Sequence, residues 1–142
     1  MIRFTIFFII LFISSVAQSN VLHEYRVLKI IDGDTVEIEA NYLPDPLKKV
    51  LKLRLYGIDT PEKGFRAKCE YENMRALKAK LFTEQEISKS KVIKVEIKSW
   101  DKYGGRVLGD LILDGERLTD RLEKNGYGVK YFGKKKPNWC IR

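Results

Sequence analysis

Several residue types are scarce in this chain of 142 residues, and each scarcity excludes a class of protein. There are only two cysteines and one histidine, His23, so a zinc site built from thiolate and imidazole ligands is poorly supported. The ten glycines and four prolines are too few for a collagen-like or low-complexity chain. Only one apolar run is long enough to be considered as a membrane segment, which excludes a bundle of membrane-spanning helices.

The residues that are abundant fit one globular domain with a basic surface. Hydrophobic residues make up 44% of the chain and aromatic residues 11%, which excludes an intrinsically disordered protein. The length is typical of one domain, or of one domain with a tail, and allows a sizeable core. Lys and Arg number 27 against 19 Asp and Glu, so the formal net charge is +8. This surplus favours a polyanionic partner such as nucleic acid, although charge alone does not identify one.

Residues 1–17 have the organisation of a secretory signal peptide. Arg3 precedes an apolar stretch over residues 4–13, and Ser15 and Ala17 are the small residues that a cleavage site requires. The stretch is shorter than the ~20 residues that a membrane-spanning helix needs. We therefore expect removal of residues 1–17, a short lead over residues 18–24, and an exported protein, periplasmic or secreted, without a membrane span.

The two cysteines agree with export. In an oxidising compartment an even pair of cysteines indicates a disulfide, here between Cys69 and Cys140. Two unrelated free thiols are the alternative that the sequence leaves open.

Hydrophobic periodicity predicts five strands and two helices. The strands are predicted over residues 25–31, 35–39, 49–56, 92–100 and 106–113, and the helices over residues 69–82 and 118–125. In the third strand the leucines at positions 51, 53 and 55 alternate with polar residues, which is typical of a half-buried strand. In the first helix a stripe at helical spacing is expected to face the core; it consists of Ala67, Tyr71, Met74, Leu77 and Leu81.

The order of these elements predicts the fold class. Three strands, a helix, two strands and a second helix is the order of a five-stranded OB-fold barrel, so we expect a mainly β protein with two helices. This domain is expected to cover residues 25–133. Residues 134–142 are interpreted as a basic C-terminal tail, of which residues 134–137 are expected to be solvated.

Acidic residues at two strand ends are the most distinctive feature of the sequence. Asp34 lies at one strand junction, and Asp59 and Glu62 lie just beyond another. Hard cations such as Ca²⁺ prefer oxygen ligands, including carboxylates. Arg54 and Arg106 add guanidinium groups, which hold phosphate oxygens in a bidentate manner. Each segment also has a purely structural reading, as a hairpin turn or a helix start, but their joint occurrence predicts a phosphodiester-cleaving site.

The motifs that carry these residues resemble the staphylococcal nuclease (thermonuclease) family. The matching segments are residues 31–36, 53–55, 57–62, 101–104 with Arg106, and 122–126. The likeness covers about residues 25–132. The resemblance implies an OB-fold barrel and a Ca²⁺-dependent nuclease that cleaves DNA and RNA, leaving 3′-phosphate and 5′-hydroxyl ends.

The resemblance also assigns roles to the acidic stretches. It places Asp34 and Asp59 as calcium ligands, with Thr60 contributing its backbone carbonyl. It makes Glu62 the general base that deprotonates or positions the attacking water.

The basic and aromatic residues receive roles in the same way. Arg54 is expected to bind the scissile phosphate, and Arg106 to stabilise charge in the transition state and assist the leaving oxygen. Lys102 and Tyr103 are expected to contact a neighbouring phosphate, and Tyr131 to stack on a base.

Three points distinguish this chain from the family pattern. The usual Tyr-Gly-Arg is here Tyr-Gly-Gly-Arg, with Gly105 as the extra residue. The stacking aromatic is ambiguous between Tyr131 and Phe132. A disulfide between Cys69 and Cys140 is expected to tie the tail to the long helix.

A non-catalytic barrel that binds single-stranded nucleic acid is the alternative function, and in either case we expect a monomer without an obligate protein partner.

Overall fold

The structure is a computed structural model that describes residues 22–23 and 25–141, so the expected signal peptide lies outside the described residues. Its helices are α1 (Glu70–Lys89) and α2 (Leu118–Lys124), with one 3₁₀ turn at Gly64–Arg66. Its strands are β1 (Leu22–His23), β2 (Val27–Asp32), β3 (Thr35–Glu39), β4 (Val50–Leu55), β5 (Gly57–Asp59), β6 (Ile93–Trp100), β7 (Arg106–Leu113), β8 (Glu116–Arg117) and β9 (Val129–Tyr131). Neither described helix is both long enough and apolar enough to cross a membrane.

The prediction of a mainly β, OB-like fold with two helices is confirmed. The main sheet runs in the order β1-β6-β7-β4-β3-β2, β8 pairs with β7, and β5 pairs with β9 in a second sheet. Within the described residues no strand pair joins the two ends of the main path, so the term barrel describes more closure than the sheet has. The four strands that the sequence did not predict contain two or three residues each, too few for a periodic pattern.

The core forms where the alternating strands face the two helices. Leu51, Leu53 and Leu55 of β4 are buried, as their alternation predicts, and Lys52 is exposed. They belong to one cluster with apolar residues of β3, β6, β7 and α2. Burial of this kind stabilises a fold by ~25 cal/mol per Å² of apolar surface. The packed cluster therefore holds the strands in place, and with them the strand ends.

Strand pairing sets the positions of the two arginines. β4 and β7 are the one parallel pair in the described sheets, and their register places Lys52 beside Arg106. Residues that are directly paired point to the same face of a sheet, and residues two apart on one strand do so as well. Arg54 and Arg106 therefore project from the same face of two adjacent strands.

The predicted buried face of α1 is wrong. Met74, Leu77 and Leu81 of the expected apolar stripe are 47%, 49% and 55% exposed. The buried positions instead follow a different line along the helix, made of Glu72, Ala76, Ala79, Thr83 and Glu86. The face of α1 that packs against the sheet therefore consists of small residues, which allow close approach, and of two acids that have hydrogen-bond or ionic partners. The hydrophobic stripe that the sequence pattern predicts to be buried lies on another face.

Close packing against the β2–β3 turn explains this choice. The Thr83 hydroxyl donates a hydrogen bond of 2.8 Å to the Gly33 carbonyl. A Cβ atom at Gly33 would lie 2.8 Å from the Ala79 Cβ and 3.0 Å from the Thr60 hydroxyl oxygen, so only glycine fits here. The helix thereby fixes the turn that carries the first acidic stretch.

Candidate active site

The two acidic stretches meet at one end of the sheet. Asp34 lies in the β2–β3 turn, and Asp59 is the last residue of β5. The backbone N–H of Thr60 donates a hydrogen bond of 2.9 Å to Asp34 Oδ2. All three residues are buried, so the structure brings the predicted metal ligands together in a place of low solvent access.

Arg54 bridges the two acids. Its Nη1 lies 2.6 Å from Asp34 Oδ2, and its Nη2 lies 3.5 Å from Asp59 Oδ1. The β3–β4 register pairs Thr35 with Arg54, which places the guanidinium beside the acidic turn. Its side chain is 15% exposed, so the cation is both held by carboxylates and open on one side.

Burial changes the ionisation of the first acidic stretch. Burial raises the pKa of Asp34 to about 6, Arg54 opposes this rise, and neighbouring Asp32 adds to it. Asp32 Oδ2 pairs with Arg66 at 3.2 Å, but its buried Oδ1 has no hydrogen-bond partner. Such an orphaned carboxylate oxygen is costly unless a cation or water meets it.

Glu62 lies at the rim of the same site between two cations. Its Oε2 lies 3.1 Å from Arg66 Nε, and its Oε1 lies 2.8 Å from Lys136 Nζ. Burial alone would raise the pKa of Glu62, but Lys136, Arg66 and Arg54 outweigh it and hold the pKa below the usual value. The Glu62 backbone N–H donates to Glu72 Oε1 at 3.2 Å, so the first turn of α1 fixes this loop.

Arg106 is held on the other side by its own loop. Its Nε donates to the Asp101 carboxylate, and its guanidinium carbon lies 4.6 Å from the centroid of the Tyr103 ring. Lys102 Nζ lies 5.1 Å from the same ring. The additional Gly105 adopts a φ of +70°, which the lack of a Cβ permits, and Arg106 still reaches the common cavity.

One cavity of about 620 Å³ unites these groups. Its floor and rim include Asp32, Asp34, Thr60, Glu62, both arginines, Lys102, Tyr103, Tyr131, Phe132 and Lys136. Tyr131 and Phe132 both line it, and Phe132 packs edge-on against Tyr56 with ring centroids 5.7 Å apart. Asp59, which is 1% exposed, lies beneath the surface of this cavity and reaches it through its contact with Arg54.

The C-terminal segment is part of the site, although the lysines at positions 134–136 are exposed. Cys140 forms a disulfide with Cys69, which settles the alternative between a bridge and free thiols. The Trp139 indole is buried, and its Nε1 donates a hydrogen bond of 3.0 Å to Asp59 Oδ2. Lys136 Nζ lies 3.2 Å from Asp59 Oδ1.

Sequence reasoning thus missed four residues of the site, namely Asp32, Arg66, Lys136 and Trp139. Asp32 stands in the same Asp-Gly-Asp motif as Asp34, and that motif could have identified it. Arg66 follows Glu62 at a spacing of four residues, which is a weaker signal. Nothing local in the sequence indicates the other two, because they reach the site from the far end of the chain.

The carboxylate oxygens of the site are of the type that a hard divalent cation prefers. Cationic side chains contact several of these oxygens in the structure. Within the described residues, no group of three or more His, Cys, Asp or Glu side chains is arranged to hold a metal ion. Arg54 and Lys136 instead contact the Asp34 and Asp59 oxygens. The donor set consists of oxygens only, which is the set that hard divalent cations prefer, and the buried Asp32 Oδ1 has no hydrogen-bond partner.

The fold and the cavity define a class: a small OB-like domain in which carboxylates and guanidiniums converge on one pocket. Comparison with known proteins agrees with this class, because the profile described as staphylococcal nuclease homologue matches residues 52–139. The chain belongs to the staphylococcal nuclease family.

Two relatives show how far the similarity extends. A protein of Methanocaldococcus jannaschii of uncharacterised function is 32% identical over 131 residues, covering 77% of this chain and 60% of the relative. The thermonuclease of Staphylococcus hyicus is 29% identical over 119 residues, covering 81% of this chain and 62% of the relative. The chain therefore spans about three fifths of the length of each of these relatives.

Proposed function

We propose that the protein is a calcium-dependent phosphodiesterase that hydrolyses DNA and RNA to products with 3′-phosphate and 5′-hydroxyl ends. Membership of the staphylococcal nuclease family and similarity to a thermonuclease support this proposal. The observation that carries it is the position of Arg54, which bridges Asp34 and Asp59 on a cavity that Arg106 and Glu62 also line.

The arginines bind the substrate. A scissile phosphate that enters the cavity offers oxygens to Arg54 and Arg106, and guanidinium groups remain charged at any physiological pH. Two donors aimed at one phosphoryl group stabilise the negative charge that grows on it during attack. Lys102 and Tyr103 contact the next phosphate, and Tyr131 or Phe132 stacks on a base.

Glu62 acts on water. Its pKa is held below the usual value, so the carboxylate is ionised at neutral pH and accepts a proton from the attacking water. The oxygen of that water bonds to phosphorus, and the bond from phosphorus to the 5′-oxygen breaks. Arg106 stabilises the leaving oxygen, which takes a proton from solvent and becomes the 5′-hydroxyl.

Calcium would be held by Asp34, Asp59 and the Thr60 carbonyl, near Asp32, whose buried Oδ1 has no hydrogen-bond partner. When bound, the ion neutralises charge on the phosphoryl oxygens. A module that only binds nucleic acid has no use for these acids, since carboxylates repel phosphate. Their retention beside two arginines therefore favours catalysis over the binding alternative.

Incubation of the purified protein with single-stranded DNA and with RNA, in Ca²⁺ and then in EDTA, tests the proposal. We expect cleavage in Ca²⁺ only, with fragments whose 5′ ends accept phosphate from a kinase without prior dephosphorylation. Retention of intact DNA in a stable complex would instead support the binding module. Cleavage that persists in EDTA would refute the calcium requirement.

The place of action is proposed as outside the cytoplasm. The Cys69–Cys140 disulfide is compatible with an oxidising compartment, and the signal peptide proposed for residues 1–17 would direct export. Sequencing the N-terminus of the protein from a culture medium or a periplasmic extract checks both statements. We propose further that the protein acts as a monomer, which sedimentation at several concentrations tests.

A further inference from the structure

The C-terminal segment reaches a predicted metal ligand through one hydrogen bond. The Trp139 indole N–H donates to Asp59 Oδ2, so it occupies one oxygen of this carboxylate. The other oxygen, Oδ1, lies toward the site, 3.5 Å from Arg54 and 3.2 Å from Lys136. The indole hydrogen bond therefore determines which Asp59 oxygen faces the site.

Trp139 is suited to this task by chemistry and by packing. An indole N–H only donates and does not titrate, so it always offers a donor to Asp59. Trp139 is 6% exposed, and a hydrogen bond from a buried donor to an ionised acceptor is about twice as strong as a neutral one. The Arg75 guanidinium, 4.7 Å from the indole centroid, covers the ring and limits its movement.

The disulfide anchors this contact. Cys140 follows Trp139 directly, and Cys69 is the N-cap of α1, with 6.1 Å between the two Cα atoms. The first turn of this helix carries Glu72, which accepts hydrogen bonds from the backbone of Glu62 and Lys68. The disulfide thus joins the segment that holds Asp59 to the helix end that holds Glu62.

We infer that Trp139 is a positioning residue for Asp59, and that the Cys69–Cys140 disulfide keeps it in place. The affinity of the site for calcium then depends on the C-terminal segment, although that segment contributes no calcium ligand. This inference rests on the proposed function, because it takes Asp59 to be a calcium ligand. Groups that orient metal ligands commonly change metal affinity by about 10- to 100-fold when they are removed.

The test measures Ca²⁺ affinity by titration calorimetry on the full mature chain. Trp139→Phe keeps the aromatic ring over which Arg75 stacks but removes the N–H, and we expect Ca²⁺ affinity to fall about tenfold or more. Trp100→Phe alters the other tryptophan, which is 64% exposed, and should leave affinity unchanged. Circular dichroism at the same temperature checks that every variant is folded.

A cysteine variant separates the role of the disulfide. Cys140→Ser leaves the indole intact but releases the segment, so it should lower affinity as well. If both changes act through the same hydrogen bond, the double variant should lose no more affinity than Trp139→Phe alone. Additive losses would overturn the proposed link between the disulfide and Trp139.

Terbium luminescence gives an independent readout, because Tb³⁺ takes the oxygen ligands of Ca²⁺ and is excited by a nearby indole. Emission should persist in Trp100→Phe and weaken in Cys140→Ser, two variants that both keep the Trp139 indole. Unchanged Ca²⁺ affinity in Trp139→Phe would overturn this inference while leaving the calcium proposal intact. Failure of the unaltered chain to bind Ca²⁺ would refute both.

Discussion

Two of the clusters of buried carboxylates resemble each other in charge and differ in their access to solvent. Asp34 belongs to the cavity, and Asp110 belongs to β7 and contacts Arg117 and Thr119. Burial raises the pKa of both acids to about 6, and in both cases an arginine opposes the rise. By pKa alone, the two clusters would be equally good candidates for a site.

Hydrogen bonding separates them. Asp110 Oδ1 accepts from the backbone of Leu111 at 2.9 Å and of Thr119 at 3.4 Å, while Oδ2 accepts from the Thr119 hydroxyl and from Arg117. Both oxygens are satisfied, and Asp110 does not line the cavity. Asp32, beside Asp34, lines the cavity and keeps a buried oxygen without a hydrogen-bond partner. An unsatisfied oxygen on a cavity-lining acid, rather than a raised pKa, distinguishes the cluster that we propose to be functional.

The largest expected effect concerns Glu62. Glu62→Gln keeps the shape of the side chain but removes the group that accepts the proton of water, so the cleavage rate should fall about 10²- to 10⁴-fold. Nucleic-acid binding, measured by fluorescence anisotropy in Ca²⁺, should stay within a few-fold because the arginines remain. Glu116→Gln, which alters a half-exposed acid paired with Arg121, serves as the control. A full cleavage rate in Glu62→Gln would mean that another group is the base.

The two arginines that serve the clusters should behave differently. Arg54→Ala removes a preorganised donor to the phosphate, and we expect the rate to fall about 10²- to 10³-fold. Arg117→Ala should keep the rate but leave Asp110 and Glu96 without their guanidinium contact, which lowers the free energy of unfolding by ~1–3 kcal/mol. Single-turnover cleavage and urea unfolding measure the two effects. Equal rate losses in both variants would contradict the distinction between the clusters.

The pH dependence of stability isolates Asp110. Its pKa is raised from 3.8 to about 6 in the folded protein, so folding favours the protonated acid. That contribution to stability is present below pH ~4 and is lost as pH rises through about 6, by up to ~3 kcal/mol. The unfolding midpoint of Asp110→Asn, followed in EDTA from pH 4 to 7, should therefore fall less with rising pH than that of the unaltered chain. Parallel curves for the two proteins would show that Asp110 does not titrate in this range.

The sequence predicted the parts of the molecule whose signals are local. The β4 alternation and the turn after Asp32 each depend on a few adjacent residues, and the structure contains both. Strand register then brings Arg54 to the Asp34 turn, which follows from pairing rules once the strands are known.

The sequence did not predict the parts that depend on distant partners. Glu86 is buried in α1 because Arg121, on α2, lies 2.7 Å away, and no pattern within α1 shows this. Trp139 and Lys136 likewise contact Asp59, from which they are separated by most of the sequence of the domain. A polar side chain becomes buried where a partner for it is present, and that partner can be distant in sequence. Hydrophobic periodicity predicts only which apolar residues are buried.

The smallest expected effect comes from Lys136, and it has the opposite sign to that of Trp139. The Lys136 ammonium contacts Asp59 Oδ1 and Glu62 Oε1, which are oxygens that face the site, so a divalent cation must displace it. The side chain is 44% exposed, and exposed ion pairs contribute ~0.2–1 kcal/mol. Lys136→Met should therefore raise Ca²⁺ affinity by only about two- to fivefold, whereas the exposed neighbour in Lys135→Met should leave it unchanged. Calorimetric titration at low ionic strength, where screening is weakest, measures the difference. Weaker Ca²⁺ binding in Lys136→Met would show that the ammonium supports the site instead of competing for it.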